Sequence, residues 1–397
     1  MAANRSTPFL IAGGGIGGLA CAYALARKGF AVRVLEQSGE FKEVGAGIQL
    51  GPNVFRALDK LGLKQAVLAD AFQPGAQEMR CALSGESIAR VPLDDAFAKH
   101  FHEPYAVTHR HDLHAVLFEA CRSNDLVYLD VWQRVVDAME DGDLVEVALG
   151  GPDTGPRKTI RGRALIGCDG MWSCVREMIV GDGAPRVSGH IAYRAVLKRD
   201  DVPEDLWRPD VVLWAGPRTH FVHYPLRRGE LYNLVAVFHS DRYEEGWNAE
   251  ADSGELWAHF SGQRPEVLRM LECIETWRMW VLCDREPIRQ WSKGRVTLLG
   301  DAAHPMLQYL AQGACMAIED AVTLAEKVAA TPDDLPGAFR AYQEARYLRT
   351  GRAQIMARVY GEFYHARGVA AELRNQMLRG RTAQDWYDGV DWLYGGM

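Results

Sequence analysis

The sequence lacks the features typical of secreted, membrane-spanning and nucleic-acid-binding proteins. Its eight cysteines form no Cys-x-x-Cys pair and no dense cluster, which favours a reducing compartment over a disulfide framework. Basic residues are scattered, and 45 Lys and Arg against 52 Asp and Glu give a net charge of −7, so no nucleic-acid partner is expected. The composition therefore predicts a cytoplasmic protein whose partner is a small molecule.

Long apolar runs and several enzyme motifs are also missing. The charge-free stretch from Phe9 to Ala26 is rich in glycine, which makes it a poor membrane helix, so no transmembrane segment is predicted. The sequence has no GxxxxGK[ST] and no GxSxG motif, which excludes the usual nucleotide and serine hydrolases. No His or Cys spacing is typical of a metal site, and His304 lacks suitable neighbours in the sequence, so no metal site is predicted.

The length and the residue patterns predict a mixed α/β protein. A chain of 397 residues exceeds the roughly 250–300 residues at which one hydrophobic core stops growing, so two domains or a large insertion are expected. Apolar runs predict strands, and alternating polar and apolar residues predict an antiparallel sheet. The predicted strands are 9–12, 31–35 and 295–300, and the sheet covers 190–284. The predicted helices are 19–28, 53–69, 112–122, 317–329 and 335–366. A hairpin or loop rich in glycine, proline and basic residues is predicted at 151–163, and an aromatic tail at 385–397.

The glycine-rich segment after the first strand matches the pattern Gly-x-Gly-x-x-Gly at Gly13, Gly15 and Gly18. Between a strand and a helix, such glycines let the backbone approach a pyrophosphate, whose charge the helix N-terminus attracts. Glu36 ends the next strand, where a carboxylate accepts hydrogen bonds from a ribose hydroxyl. These residues predict a dinucleotide site without separating NAD from FAD, and a glycine-rich turn without a ligand is the alternative.

Two later motifs bear on this choice. Asp169-Gly170 follows one buried strand and Gly300-Asp301 follows another, while the segment 109–113 reads His-Arg-His-Asp-Leu. With the glycine motif, and in this order, they resemble the motifs of the flavin-dependent aromatic hydroxylases of the p-hydroxybenzoate hydroxylase family. The resemblance covers most of the chain and implies tightly bound FAD, with NADH and O₂ as co-substrates. A non-catalytic NAD-binding or redox-sensing module, the alternative from another class, would leave both later motifs unexplained.

The family resemblance also implies the architecture. It implies a Rossmann-like FAD-binding domain of three layers, two of sheet and one of helix, with an inserted antiparallel β-sheet domain for the substrate and a helical C-terminus. The FAD-binding domain would be discontinuous, over 1–75, 105–185 and 285–330, the substrate domain would cover 76–104 and 186–284, and the C-terminal segment 331–397. A homodimer is the commonest oligomer and is the default expectation.

Beyond the glycine loop and Glu36, the resemblance implies five further cofactor-binding residues: Gly47, Arg110, Asp169, Asp301 and Gly313. Arg110 would contact the diphosphate or the adenosine side of FAD, because a fixed positive charge suits a phosphate. Asp301 would hold the ribitol hydroxyls, and Asp169 would lie near the flavin and the nicotinamide path. The segment 44–50 would run as a loop beside the flavin. The alternative is that Arg110 and Asp112 merely pair with each other at the helix start, and for Asp112 this structural interpretation is the favoured one.

The candidate catalytic residues are His220, Tyr224 and Gln308. Side chains alternate across a strand, so His220, Val222 and Tyr224 share one face, whereas His223 faces the other side and is interpreted as structural. The resemblance implies that His220 accepts a phenolic proton, that Tyr224 donates to a carboxylate or phenolate, and that Gln308 orients either oxygen. The alternative is a stable sheet in which His and Tyr make ordinary hydrogen bonds.

Gln308 also distinguishes branches of the family. The commoner form of the family's Gly-Asp motif has a proline at this position, and its replacement by Gln308 resembles a branch that hydroxylates 3-hydroxybenzoate para to its hydroxyl, giving 2,5-dihydroxybenzoate (gentisate) through a flavin C4a-hydroperoxide. The alternative within the family is the decarboxylating hydroxylation of salicylate to catechol, or the hydroxylation of a related small aromatic acid.

Overall fold

A computed structural model describes residues 7–42, 45–150, 158–240 and 252–396, and the backbone alone of 247–250. The strands in the described residues are β1 (Phe9–Ala12), β2 (Val32–Leu35), β3 (Gly47–Leu50), β4 (Ala76–Cys81), β5 (Ser87–Pro92), β6 (Ala106–His109), β7 (Val127–Asp130), β8 (Arg134–Asp141), β9 (Leu144–Gly150), β10 (Lys158–Gly162), β11 (Leu165–Gly167), β12 (Arg186–Lys198), β13 (Val211–Gly216), β14 (Thr219–Leu226), β15 (Leu231–His239), β16 (Trp247–Glu250), β17 (Arg278–Asp284), β18 (Ser292–Lys293) and β19 (Val296–Leu298). The α-helices are α1 (Ile16–Arg27), α2 (Pro52–Leu61), α3 (Lys64–Leu68), α4 (Asp95–Phe101), α5 (Arg110–Arg122), α6 (Cys174–Ile179), α7 (Ser253–Phe260), α8 (Pro265–Glu272), α9 (Gly313–Ala330), α10 (Leu335–Tyr364), α11 (Val369–Leu378) and α12 (Ala383–Tyr394).

A six-stranded sheet in the order β18-β19-β11-β1-β2-β7 carries the glycine motif. Its strands run parallel except for β18 at the edge. Helix α1 packs against α5 and α9, and a small antiparallel sheet of β10, β9 and β8 contributes Val135, Val145 and Val147 to the same hydrophobic core. The arrangement has two sheet layers and one helix layer, which confirms the predicted three-layer α/β fold.

The predicted strand-turn-helix-strand unit is present with a longer helix. Strand β1 has the predicted bounds and pairs in parallel with β2, but α1 begins at Ile16 instead of Leu19. Gly17 and Gly18 therefore belong to the first turn of the helix and not to the preceding loop. Close packing explains why a glycine stands in this helical turn, because a Cβ at Gly18 would lie 2.0 Å from the carbonyl oxygen of Gly13.

The second large sheet has eight strands, in the order β16-β17-β12-β15-β14-β13-β4-β5. The predicted antiparallel sheet over 190–284 is present but differs in three respects. Strands β4 and β5 extend it, β13 pairs with β4 in parallel, and α7 and α8 interrupt the predicted strand region. These two helices cover one face of the sheet, where Phe260 and Val267 join a core that includes Phe221 and Phe238.

Three further predictions differ from the structure, and a fourth agrees with it where the residues are described. The helix predicted over 53–69 divides into α2 and α3 because Gly62 adopts a left-handed conformation with φ of 73°. The segment predicted as a flavin-side loop contains β3, which pairs with β6, and Val44 lies outside the described residues. The aromatic tail forms α12, which begins with a capping box of Thr382 and Asp385. In the predicted loop or hairpin at 151–163, residues 158–162 form β10 against β9, and 151–157 are not described.

No helix among the described residues is both long and apolar enough to cross a bilayer.

Candidate active site

The glycine loop lies where β1 ends and α1 begins, and its backbone is packed closely against the neighbouring strand. Gly13 has a φ of 99°, and a Cβ there would lie 2.5 Å from the carbonyl oxygen of Cys168. Gly15 is the N-cap of α1 and supplies no side chain to the first-turn N–H groups. Because those groups lack a side-chain cap and carry the positive end of the helix dipole, the loop can receive a phosphate.

Glu36 and His114 fix the shape of this loop. One carboxylate oxygen of Glu36 accepts a hydrogen bond of 2.7 Å from the backbone N–H of Gly14, and the other accepts one of 2.8 Å from the N–H of Ser38. Buried His114 on α5 contacts the carbonyl oxygen of Gly14 through its Nε2 at 2.9 Å. Sequence analysis missed His114, although its position one helical turn after Arg110 places both residues on the same side of α5.

Arg110 is the first residue of α5, and its backbone N–H donates to the carbonyl oxygen of Ala46 at 2.8 Å. This bond continues the pairing of β3 with β6 and brings the start of α5 next to Gly47. Asp112 pairs instead with Arg227, whose guanidinium donates two hydrogen bonds of 2.8 Å. Burial opposes ionisation of Asp112, but Arg227 still lowers the pKa of the carboxyl below its usual value. Asp112 therefore makes a structural ion pair, as expected, but its partner is Arg227 instead of the expected Arg110.

Asp169 is the centre of a helix-capping network. Its carboxylate accepts hydrogen bonds from Ser173 Oγ at 2.5 Å, from the N–H of Cys174 at 2.9 Å and from the N–H of Val175 at 3.2 Å. Burial raises the pKa of Asp169 despite these donors. These contacts fix the start of α6 next to the end of β11. The proximity of Asp169 to a flavin stays a prediction.

Buried Arg176 connects the two later motifs. It donates to the carbonyl oxygens of Ala302 at 3.0 Å and Ala303 at 2.7 Å, directly after Asp301. Asp301 itself is exposed at the end of β19, and a Cβ at Gly313 would lie 3.7 Å from its Oδ1. The structure therefore brings Asp301 and Gly313 together at the edge of the sheet that also carries the glycine loop.

His304 belongs to a buried polar network. Its Nε2 lies 2.5 Å from Asp320 Oδ2, and Arg346 donates to the other oxygen of Asp320 at 2.6 Å. Arg346 also donates to Glu319 at 2.6 Å, and Asn53 donates to the same carboxylate at 2.7 Å. This network anchors α9 behind the Gly-Asp motif, so His304 has a structural partner in Asp320.

One face of the eight-stranded sheet carries the candidate substrate side chains. Tyr224 is paired across the strands with Asn233, and His220 with Val237, so all four residues share that face. Next to it lies a cavity of about 410 Å³ lined by Gly45, Ala46, His109, Arg194, Ala195, Val196, Asn233, Thr276, Arg278 and Trp280.

Tyr224 and Gln308 are not among the residues that line this cavity, but each lies beside one that is: Tyr224 is paired with Asn233, and Gln308 contacts Arg194. A Cβ at Gly47 would lie 2.8 Å from the hydroxyl of Tyr224, and the N–H of Gly47 donates to Asn233 at 2.8 Å. Gln308 lies in a short 3₁₀ turn and accepts a hydrogen bond from Arg194. Burial lowers the pKa of Arg194 to about 10 and raises that of Tyr224. Both groups therefore keep their donor protons at neutral pH.

Three polar atoms of residues lining the cavity are buried without a hydrogen-bond partner among the described residues, namely His109 Nδ1, Arg194 Nε and Asn233 Nδ2. Such atoms are costly unless a ligand or water satisfies them. Sequence analysis missed Arg194 and Asn233, although the alternation that identified Tyr224 also applies to β12 and β15.

His220 contacts a different group of side chains. Its Nδ1 lies 2.6 Å from Nε2 of His365, and its ring is 5.4 Å from Tyr309 and 5.6 Å from Tyr364. Burial lowers the pKa of His220 to about 3, so the imidazole is neutral. His223 faces the opposite side of the sheet and contacts Trp214 and Tyr232, as expected for a structural residue.

The fold and the site together define a Rossmann-like dinucleotide-binding protein with an inserted β-sheet and a polar cavity between them. Residues 6–374 match the family model described as FAD binding domain. A 3-hydroxybenzoate 6-hydroxylase of Polaromonas naphthalenivorans (strain CJ2) is 46% identical over 388 residues, which cover 98% of this chain and 96% of that protein. A 3-hydroxybenzoate 6-hydroxylase of Klebsiella oxytoca is 45% identical, with 97% of this chain and 96% of that protein covered.

Solved structures show the same fold. Klebsiella pneumoniae HpxO complexed with FAD and uric acid has a TM-score of 0.83 at 24% identity, with 96% of this chain and 95% of that chain covered. A salicylate hydroxylase substrate complex has a TM-score of 0.82 at 22% identity, with 98% and 96% covered. The chain belongs to the FAD-binding family of flavin-dependent aromatic hydroxylases, and it is an FAD-dependent aromatic-ring monooxygenase.

The residues present fit FAD. Gly13 packs so closely against Cys168 that a Cβ would clash, and the N-terminus of α1 has no side-chain cap, so the glycine loop would accept the pyrophosphate. The carboxylate of Glu36, beside Gly14, would accept from the adenosine ribose. Asp301 and Gly313, at the same edge of the sheet, would hold the ribityl chain. When bound, FAD supplies the oxygen chemistry, and the protein supplies binding, orientation and exclusion of water.

Proposed function

We propose that the protein hydroxylates 3-hydroxybenzoate para to its hydroxyl group, with NADH and O₂ as co-substrates, and releases 2,5-dihydroxybenzoate. The observation that carries this proposal is the similarity, over nearly the whole chain, to several proteins named 3-hydroxybenzoate 6-hydroxylase at 43–46% identity. The residues at the cavity support an anionic, phenolic substrate.

Recognition of the carboxylate is assigned to Arg194 and Tyr224. Arg194 contributes a guanidinium whose Nε has no hydrogen-bond partner among the described residues, and a guanidinium matches a carboxylate in geometry and charge. The buried hydroxyl of Tyr224, next to Gly47, is a second donor. Gln308 is held by Arg194 and presents its amide to the same substrate. In this proposal all three side chains orient the ring so that the carbon para to the hydroxyl faces the cofactor.

Activation of the phenol is assigned to His220. Since Nδ1 of His220 contacts His365, Nε2 is the nitrogen left for the substrate. If Nδ1 of His220 carries the ring proton and donates a hydrogen bond to His365, Nε2 of His220 accepts a hydrogen bond from the phenol. This hydrogen bond draws the phenolic proton partly toward Nε2 and raises electron density at the ortho and para carbons, which favours attack by an electrophilic oxygen. The low pKa of about 3 means that His220 accepts the hydrogen bond as a neutral base.

The decisive experiment measures NADH oxidation by the FAD-loaded protein with 3-hydroxybenzoate, salicylate and 4-hydroxybenzoate, with every product identified by chromatography. Gentisate from 3-hydroxybenzoate, with little product from the other two, is the expected result. Catechol from salicylate would favour the decarboxylating alternative. Replacing NADH with NADPH tests the choice of co-substrate, and we expect a lower rate with NADPH.

The remaining proposals concern organisation and location. The strands of the six-stranded sheet all lie within 1–75, 105–185 and 285–330, and those of the eight-stranded sheet within 76–104 and 186–284, which supports the proposed domain division. A homodimer is proposed because apolar residues are exposed along α10 and α11, among them Leu348, Val359, Val369 and Met377. The reduced cysteines of the described residues support a cytoplasmic location. Light scattering and cell fractionation test the last two proposals.

A further inference from the structure

Three histidines that the proposed reaction does not use directly lie together beside His220. They are His190 on β12, His239 at the end of β15, and His365, which follows α10. Their ring centroids are 4.2 to 4.9 Å apart. One nitrogen from each lies within 4.8 Å of the others. His190 and His365 are buried and His239 is half-buried, so the cluster is open to solvent on the side of His239.

The backbone holds the three rings in place. His190 and His239 are direct partners in the antiparallel pairing of β12 with β15, which puts both side chains on the same face. The N–H of Arg218 donates to the carbonyl oxygen of His365 at 3.0 Å, and the N–H of His239 donates to the carbonyl oxygen of Arg218 at 3.2 Å. The residues are therefore fixed by secondary structure and not by the ring contacts alone.

The hydrogen bonds of the cluster leave one nitrogen of each ring for a common ligand. Nδ1 of His190 contacts the hydroxyl of Tyr309 at 2.6 Å, and Nε2 of His365 contacts Nδ1 of His220 at 2.6 Å. The remaining atoms are Nε2 of His190 and Nδ1 of His365, and the latter lies 2.9 Å from Nε2 of His239. A metal-ligating histidine usually has its second ring nitrogen hydrogen-bonded to an outer partner, and His190 and His365 both show this arrangement.

We propose that His190, His239 and His365 form a site for a divalent transition metal of the Zn²⁺ type. Three imidazoles and an open fourth position are a common ligand set for zinc. Zn–N bonds of about 2.0–2.1 Å in a tetrahedron require nitrogens roughly 3.4 Å apart. The His239 and His365 nitrogens, at 2.9 Å, would need to separate by about 0.5 Å, and a pair at the 4.8 Å limit of the cluster would need to approach by about 1.4 Å. Imidazole ligands favour Zn²⁺, Cu²⁺ or Ni²⁺ over Mg²⁺ and Ca²⁺, which prefer oxygen.

The charges around the cluster are consistent with neutral ligands. Burial lowers the pKa of His190 and of His239 to about 4, so protons do not compete with the metal near neutral pH. Arg218 lies close enough to contribute to both shifts. Its positive charge favours an anion, such as hydroxide or chloride, as the fourth ligand.

Sequence spacing gives no indication of this site, because the three histidines come from segments far apart in the chain. The prediction that the protein has no metal site rested on the absence of closely spaced ligands. The pairing of β12 with β15 and the end of α10 bring the three residues together.

The test is a calorimetric titration of ZnCl₂ into FAD-loaded, chelator-treated protein. We expect one Zn²⁺ per chain and a rise in the unfolding temperature when zinc is present. Loss of an outer hydrogen-bond partner of a zinc ligand already costs about 10–100-fold in affinity, so His239→Gln should weaken binding by more than about 100-fold. Tyr309→Phe, which removes the partner of His190, should weaken it by about 10–100-fold.

The matched control is His259→Gln, because His259 is an exposed histidine on α7 close to His239 but outside the cluster. It should bind zinc as the unchanged protein does. His190→Gln provides a second ligand variant, and the flavin content and circular dichroism of each variant report whether it is folded. Absence of micromolar zinc binding in the unchanged protein would overturn the proposal. So would a zinc affinity equal to that of the unchanged protein in folded His239→Gln and His190→Gln.

Discussion

The guanidinium of Arg194 donates a hydrogen bond to the side-chain oxygen of Gln308. Arg194 lies on β12 in the eight-stranded sheet, whereas Gln308 lies in the turn that follows the Gly-Asp motif of the FAD-binding fold. The bond therefore joins the two parts of the protein at the cavity. A proline at position 308 would offer no side-chain acceptor to Arg194.

Arg194→Met should weaken binding of the aromatic acid. A hydrogen bond to a charged group is worth about 1.5–3 kcal/mol, so we expect the KM for 3-hydroxybenzoate to rise by about 10-fold to 150-fold while FAD stays bound. Steady-state kinetics with flavin absorbance measure both quantities. Arg199→Met is the matched control, because Arg199 directly follows the same strand and pairs with exposed Glu204. An unchanged KM in Arg194→Met would remove this residue from the substrate site.

Tyr224→Phe should uncouple NADH oxidation from hydroxylation. Loss of the hydroxyl leaves the substrate less firmly oriented, so a larger share of the NADH consumed should appear as hydrogen peroxide instead of gentisate. We expect the coupled fraction to fall several-fold. Tyr232→Phe removes a buried hydroxyl from the other face of the same sheet, where it contacts His223, and it should retain normal coupling. Equal coupling in both variants would show that the Tyr224 hydroxyl only stabilises the sheet.

The sequence predicted the parts of the fold that depend on local pattern. The β1-α1-β2 unit follows from two apolar strands around Gly13, Gly15 and Gly18, and the alternation over 219–224 predicts a strand with two different faces. Boundaries were less predictable where tertiary packing decides them. Gly17 and Gly18 are weak helix formers, but both lie in α1. Gly17 packs closely against Leu299 and Gly18 against Gly13, which leaves little room for a larger residue at either position.

The parts of the candidate site that were missed depend on pairing between distant segments. Arg194 enters the site because β12 lies beside β15, and no local pattern gives that neighbour relation. Asp112 was correctly interpreted as structural, but its partner Arg227 lies in a turn far along the chain. Charge type can be inferred from sequence, whereas the identity of a long-range partner requires the topology.

Gly18→Ala should abolish FAD binding or destabilise the fold severely. The added Cβ would lie 2.0 Å from the carbonyl oxygen of Gly13, and a backbone atom cannot yield without moving the loop. Gly17→Ala, the matched control one residue earlier, places its Cβ 3.1 Å from a methyl of Leu299, which a side chain can relieve by a small shift. Flavin content after purification and thermal unfolding measure the difference. Full flavin content in Gly18→Ala would contradict the conclusion that the packing of Gly18 against the Gly13 carbonyl leaves no room for a Cβ.

Asp320→Asn should destabilise the protein by about 3–5 kcal/mol, because it breaks a buried charge network. Burial alone would raise the pKa of Asp320, but His304 and Arg346 lower it below the ordinary value. A carboxyl with a depressed pKa in the folded state stabilises the protein above its unfolded pKa of about 3.9, and this contribution is lost as the pH falls through the folded pKa. The difference in unfolding free energy between the two proteins should therefore be largest near neutral pH and shrink in acid.

Urea unfolding at several pH values checks this prediction, provided that unfolding is reversible. Asp333→Asn, at an exposed carboxylate before α10, should unfold like the unchanged protein at every pH. A deficit in Asp320→Asn that stays constant into acid would show that shape, and not charge, explains the loss.

Zinc should inhibit hydroxylation if both the proposed metal site and the proposed role of His220 hold. A metal on Nδ1 of His365 leaves its proton on Nε2, which then donates to Nδ1 of His220 across their 2.6 Å contact. Neutral His220 must then carry its proton on Nε2 and can no longer accept one from the phenol. General-base catalysis contributes about 10²–10⁴-fold, so gentisate formation should fall by about 100-fold or more at saturating Zn²⁺ and recover on addition of a chelator. His239→Gln should resist the inhibition at the same zinc concentration. Zinc binding without inhibition would retain the metal site and contradict the role of His220, whereas equal inhibition of His239→Gln would place the inhibitory zinc elsewhere.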